Sequence, residues 1–342
     1  MIELLSLSFV QKGLIGAVLI GLSCSIIGVF VVLRGMSYIG AGIAHGCLAG
    51  AALALLMGWN VLLLSIISAF LMIIFIEIIN RKTSMKIDAA IGVIFSVAMA
   101  LAVLFIGLQK KYTPDIMSYL FGNLLIVSTN ELWLMFGICL FIILIVRFFF
   151  KELQFSVFDS EMAEISGIPA AFISVLLSVL MSLIIVVSLQ AVGELLVIAL
   201  IVLPASAAYQ LTHSLKKMIF ISAVIGVVSA ISGLISAFYL DAPAGSTIVM
   251  ILGLIFFISL FFIFSFTFAQ TTLPGNVLYP IKTLTQDAKI YLASENTKPI
   301  VRLEVAKSRM EDLSKVQNHE QEVSAIVKII TKDLDLVPQE IK

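Results

Sequence analysis

Lys151–Gly167, KELQFSVFDSEMAEISG, is a polar island between two apolar runs that are each long enough to cross a bilayer. Seventeen residues of this kind between two spans must lie in water, where a soluble partner can reach them. Within the island, Phe158–Gly167 (FDSEMAEISG) reads as a short helix. Asp159 or Ser160 caps its start, acids fill its first turn, and Gly167 with Pro169 stops it.

The island stands out because the rest of the chain is so apolar. Of 342 residues, 61% are hydrophobic and 12% charged, and the mean hydropathy is +1.15. Those values exclude an ordinary soluble protein, and apolar runs of about eighteen or more residues recur along the sequence. Spans are expected near Phe9–Leu33, Gly40–Met57, Val61–Ile79, Asp88–Leu108, Glu131–Phe150, Pro169–Leu189, Ala191–Gln210, Met218–Tyr239 and Thr247–Phe268. The second is short and glycine-rich, so the count stands at eight or nine. The N-terminus, MIELLSLSFVQKG, has no basic leader or small-residue cleavage site and is taken as the start of the first span. Cys24, Cys47 and Cys139 lie inside apolar segments without metal or disulfide spacing and read as packing residues.

Basic residues set the orientation. Arg34, the group Arg81, Lys82 and Lys86, then Arg147 with Lys151, then Lys216 with Lys217 fall on one side; Lys110 and Lys111 fall on the other. The first side is therefore assigned to the cytoplasm, together with the 151–167 island and the C-terminus.

Inside the second span, Gly42, Gly46, Gly50, Ala54 and Gly58 recur every four residues, leaving a stripe almost without side chains against which another helix can pack closely. The first span carries Gly13, Ala17, Gly21 and Ser25. His45 sits beside the glycine stripe. A histidine in an apolar run either bonds a neighbouring helix or faces a cavity, and ionisable groups within a membrane are functional by default. Glu194 is the second such group. It is either a protonated partner of a neighbouring helix, a side chain reaching the outer face, or part of a route through the membrane. Pro204, further along the same span, is expected to kink or end its helix.

Four separated segments resemble, in order, the integral-membrane permease subunits of ATP-driven importers of zinc, manganese and iron, the ABC-3 type. Arg34–His45 (RGMSYIGAGIAH) looks like that family's R-x-M-S-Y-x-G-D-A-x-x-H. Asp88–Ser96 (DAAIGVIFS) looks like D-A-x-I-G-x-x-F-S, with Asp88 read as a cap of the fourth span in preference to a metal ligand. Ala191–Ala205 is similar to V-G-x-L-L-V-x-A-L-L-x-x-P-A, and the island to F-D-x-E-x-A-x-x-x-G. The resemblance implies that the island is a coupling helix, with Phe158, Asp159, Glu161, Ala163 and Gly167 meeting a cytoplasmic ATPase subunit present in two copies. It also implies a second permease, either the same chain or a paralogue, and an extracytoplasmic metal-binding protein. That protein would dock on the Gln109–Asn130 loop, which resembles a gate element with a partly inserted helix, together with Asp241–Gly245. Many members hold a divalent cation between an Asp and a His on one helix face; here the Asp position is Ala41, so half of that pair is missing and Glu194 is the carboxylate left to complement His45.

From Leu273 onward the character changes. This stretch holds 20 of the chain's 42 charged residues, ten of each sign. Aliphatics at helical spacing from Ile300 to Ile330 predict a small helical appendage outside the resemblance. His319 has no zinc-ligand spacing around it. No G-x-x-x-x-G-K-[ST] loop occurs, so ATP must be hydrolysed by another subunit, and no basic stripe suits nucleic acid.

The expected architecture is all-α: a polytopic membrane helix bundle of eight or nine spans over residues 1–270, with a cytoplasmic coupling helix and a helical tail over 271–342. The expected function is permease of a divalent manganese, zinc or iron ion in the bacterial inner membrane, with no permanently bound cofactor. A cation channel or secondary transporter working without an ATPase leaves the island unexplained, and an intramembrane enzyme would have only His45 with Glu194 as a catalytic pair.

Overall fold

The structure, a computed structural model, describes residues 7–82, 87–109, 122, 124, 127–276, 278–294, 297–314, 327–328 and 330–331. The described residues contain helices and no strand: α1 (Ser8–Leu33), α2 (Ser37–Met57), α3 (Val61–Lys82), α4 (Ile87–Leu108), α5 (Thr129–Phe148), α6 (Phe150–Phe158), α7 (Ser160–Ile165), α8 (Ala170–Val192), α9 (Glu194–Leu211), α10 (Leu215–Leu240), α11 (Ala244–Gln270), α12 (Tyr279–Leu292) and α13 (Lys298–Ser314). Eight of them, α1, α2, α4, α5 and α8–α11, are long and apolar enough to cross a membrane, and the described apolar stretch of α3 is Val61–Ile76. A helix of about 20 residues spans ~30 Å, the thickness of the hydrocarbon layer.

Local sequence sets the breaks. Gly35 turns the chain from α1 to α2 at φ 68°, and Gly58 ends α2 at φ 72°. Asn60 accepts from the Leu63 amide at 3.1 Å to begin α3. Ser128 and Glu131 form a reciprocal capping box at the start of α5, with contacts of 3.2 and 2.7 Å. Between α8 and α9 the chain breaks at Gly193, φ 77°, so Ala191 and Val192 close α8 and Glu194 is the first residue of α9. The expected seventh span thus starts three residues late, and it runs on through Pro204 to Leu211 without ending there.

The chain divides into two compact units, Met1–Phe257 and Ile258–Lys342, with the division inside α11. In the first unit α1 is the central element, packed by α5, α8, α9 and α10, while α2 packs on α3, α4, α8 and α9. The two small-residue stripes serve different neighbours. That of α2 lies on α3: a Cβ at Gly50 would meet Ser68 and Leu64, one at Gly46 would meet Met72, and one at Gly42 would touch Ile76 and Ile91. That of α1 lies on α9 and α10, Gly21 against Gly226 and Gly28 against the Ile201 peptide. Ser222 donates to the Ser25 carbonyl at 3.0 Å and Ser65 to the Cys47 carbonyl at 3.3 Å, so both crossings carry a polar contact. Cys24, Cys47 and Cys139 are buried free thiols.

In the second unit α12 packs on α13 around Tyr279, Ala306 and Ile330. Buried Lys282 pairs with Asp312 at 2.6 Å, and buried Arg309 reaches Asp287 at 2.7 Å and Gln286 at 2.9 Å. Burial, reinforced by the Asp312 charge and opposed by Arg309, holds the Tyr279 phenol above its ordinary pKa. Residues 315–326, including His319, lie outside the described residues.

Candidate functional site

His45 lies a little over two turns into α2 and Glu194 opens α9, two helices in contact. The break at Gly193 places the carboxylate at the positive end of α9, where a negative charge is favoured. Leu196, Val197, Leu200 and Ile201 are buried and set the rotation of that helix. Across the bundle, His45 Nδ1 stands 2.7 Å from Glu194 Oε1. The two intramembrane ionisable side chains singled out from the sequence therefore meet. The approach has hydrogen-bond length without being an aligned hydrogen bond, and Glu194 Oε2 has no hydrogen-bond partner either. Among the described residues, no group of three or more His, Cys, Asp or Glu is placed to hold a metal.

Two features around the pair were not singled out from sequence. Phe95 of α4 packs edge to face on the His45 imidazole, ring centroids 4.2 Å apart and planes at 83°. Gly122, at φ 70°, lies so close to the Val192–Gly193 peptide that a Cβ there would collide with Gly193 N at 2.5 Å. Both residues stand in segments already quoted or bounded above, but nothing in a single sequence marks a ring contact or a backbone crossing. Ala41, one turn before His45 and like it half-buried, supplies no donor. Most of the 109–130 loop, and the side chain of Asp88, lie outside the described residues; α4 begins at Ile87.

At the other candidate site, Asp159 caps α7, its Oδ1 accepting from Met162 N at 2.9 Å. Gly167 at φ 82° ends it, with Gly167 N on Glu164 O at 3.0 Å and Ile168 N on Ala163 O at 2.9 Å. Phe158, Asp159, Glu161, Met162, Glu164, Ile165 and Gly167 are exposed, whereas Ala163 is fully buried and seats the helix. The result is an apolar ridge edged by carboxylates, a surface suited to a groove with basic walls.

Comparison with known proteins gives one family model, described as the ABC 3 transport family, which matches residues 6–263. The chain is 37% identical over 260 residues to the manganese transport system membrane protein MntC of Halalkalibacterium halodurans, covering 76% of this chain and 89% of that one. It is 36% identical over 253 residues to the manganese import system permease protein ScaB of Streptococcus gordonii, covering 74% and 91%. Among solved structures, PsaBC from Streptococcus pneumoniae in complex with Fab aligns with a TM-score of 0.69 at 36% identity, over 75% of this chain and 93% of that one.

Proposed function

The chain belongs to the ABC 3 transport family, and from that premise we propose that it is the permease subunit of an ATP-driven importer whose cargo is a divalent transition metal. Manganese is the first candidate, because the relatives named above carry it in their names; zinc and ferrous iron accept the same nitrogen and oxygen donors. The observation that carries the reading is the 2.7 Å approach of His45 to Glu194 within the helix bundle. The imidazole nitrogen, backed by the carboxylate and with water filling the rest of the shell, makes an incomplete site, which suits a cargo that must leave again.

The remaining roles follow from the surfaces. Phe158, Asp159, Glu161 and Gly167 present α7 to one of two copies of a cytoplasmic ATPase, with Ala163 as its seat. A second permease, the same chain or a paralogue, completes the path. An extracytoplasmic metal-binding protein delivers the ion on the opposite side. Residues 1–270 form the permease in the bacterial inner membrane, and 271–342 are a cytoplasmic extension. The test is manganese accumulation in proteoliposomes holding the permease, its ATPase and its binding protein. Uptake is expected only with ATP and all partners present; accumulation without the ATPase would replace this reading with that of a secondary transporter or channel.

A further inference from the structure

Resting on the reading of His45 as a path residue, we propose that Glu194 is a positioning residue: it holds the imidazole by Nδ1, so that Nε2 is the atom presented to a divalent cation. The two partners differ in access. The His45 side chain is 15% exposed and that of Glu194 2%. Nδ1 and both carboxylate oxygens are buried, so the exposure that the His45 side chain keeps lies on the rest of the ring. A cation that reaches the exposed part of the ring therefore meets the imidazole first and finds the carboxylate behind it.

The surroundings hold this order in place. Phe95, edge to face with the imidazole at 4.2 Å, restricts the plane of the ring. Gly122, against the Val192–Gly193 peptide, covers the joint from which Glu194 projects. A neutral imidazole donates from one nitrogen and accepts at the other. A small rotation of either side chain aligns the 2.7 Å contact, and with Nδ1–H given to the carboxylate the Nε2 lone pair is free for the cargo. Ala41 makes this arrangement necessary: with no carboxylate one turn away on α2, the orientation of the single nitrogen donor depends on a residue from another helix.

The sequence has three histidines, His45, His213 and His319, so the full chain labelled with ¹⁵N-histidine in nanodiscs gives a spectrum of three side chains, assigned by loss of one in His45→Gln. The wild type should show His45 protonated at Nδ1 and bare at Nε2, added manganese(II) should broaden Nε2 more than Nδ1, and Glu194→Ala should mix the tautomers. Glu194→Gln, whose amide oxygen still accepts, should keep the wild-type tautomer. In the reconstituted transporter, Glu194→Ala should lower manganese uptake about 10–100-fold, the usual cost of losing such an orienting partner, with a clearly smaller loss for Glu194→Gln. An Nε2-protonated wild type, a tautomer unchanged in Glu194→Ala, stronger broadening at Nδ1, or a Glu194→Gln variant as inactive as Glu194→Ala would each overturn the assignment. Failure of the underlying reading looks different: His45→Ala would transport like the wild type whatever the tautomer.

Discussion

Replacing Gly28 by alanine places a methyl group at the α1–α9 crossing, against the Ile201 peptide, with the Ile201 carbonyl carbon 2.9 Å from the new Cβ. Carbon atoms in contact prefer about 3.7 Å and the Ile201 carbonyl oxygen lies nearer still, so the helices must separate by at least roughly 0.8 Å. The obstacle is backbone and cannot rotate aside. Overpacking of this kind costs about 1–3 kcal/mol, and this site should lie at the upper end. Ile201 and Glu194 are seven residues apart on one helix, about 10.5 Å along its axis, so the displacement is carried toward the carboxylate. Carried in full, it would stretch the 2.7 Å contact with His45 to about 3.5 Å or more, beyond hydrogen-bond range. The heat-denaturation midpoint in detergent, followed by size-exclusion chromatography, should fall, and manganese uptake should drop about tenfold. Two controls separate crowding from a general intolerance of alanine. At Gly46 the neighbour is the flexible Met72 side chain, and at Gly253 nothing lies within 4 Å, so alanine should be mild at the first and harmless at the second. A Gly28→Ala protein with the wild-type midpoint and uptake would refute the packing argument.

Glu161→Arg reverses charge on the exposed ridge of α7 and should leave assembly intact while abolishing stimulation of ATPase activity by loaded binding protein; wild-type stimulation would remove α7 from the coupling role. Truncation after Gln270 keeps every membrane-spanning helix and should preserve insertion and dimerisation, as judged by membrane fractionation and cross-linking; a chain that fails to insert would make the tail part of the core. Asp312→Asn leaves the buried Lys282 ammonium with the Thr272 carbonyl but without its counter-charge, and should destabilise the second unit by about 3 kcal/mol. Limited proteolysis should then cut within 271–314 and spare the first unit, and an unaltered digestion pattern would contradict this.

How far the sequence could be read depended on whether apolar pattern or pairing set the structure. Hydropathy located the nine long helices found among the described residues to within a few residues, because bilayer thickness dictates their length. The glycine period in α2 announced a close crossing but not its partner, and α1, with its own small residues, crosses elsewhere. His45 and Glu194 were visible as two costly groups in lipid, yet 149 positions separate them and their meeting depends on the rotation of α9, set at Gly193. In the tail, α12 escaped notice since its inward face, Tyr279, Lys282, Gln286 and Ile290, is half polar. Likewise, within the Ile300–Ile330 run Met310 is exposed and Arg309 is buried, because Gln286 and Asp287 satisfy the guanidinium.

The most direct test of the central claim is the initial rate of ATP-driven manganese uptake by the reconstituted transporter carrying His45→Ala, measured beside its ATPase rate. A path that depends on the His45 nitrogen predicts a fall of about tenfold or more in uptake, with folding and basal ATP hydrolysis retained. Uptake at the wild-type rate would show that the cargo passes without meeting the His45–Glu194 pair.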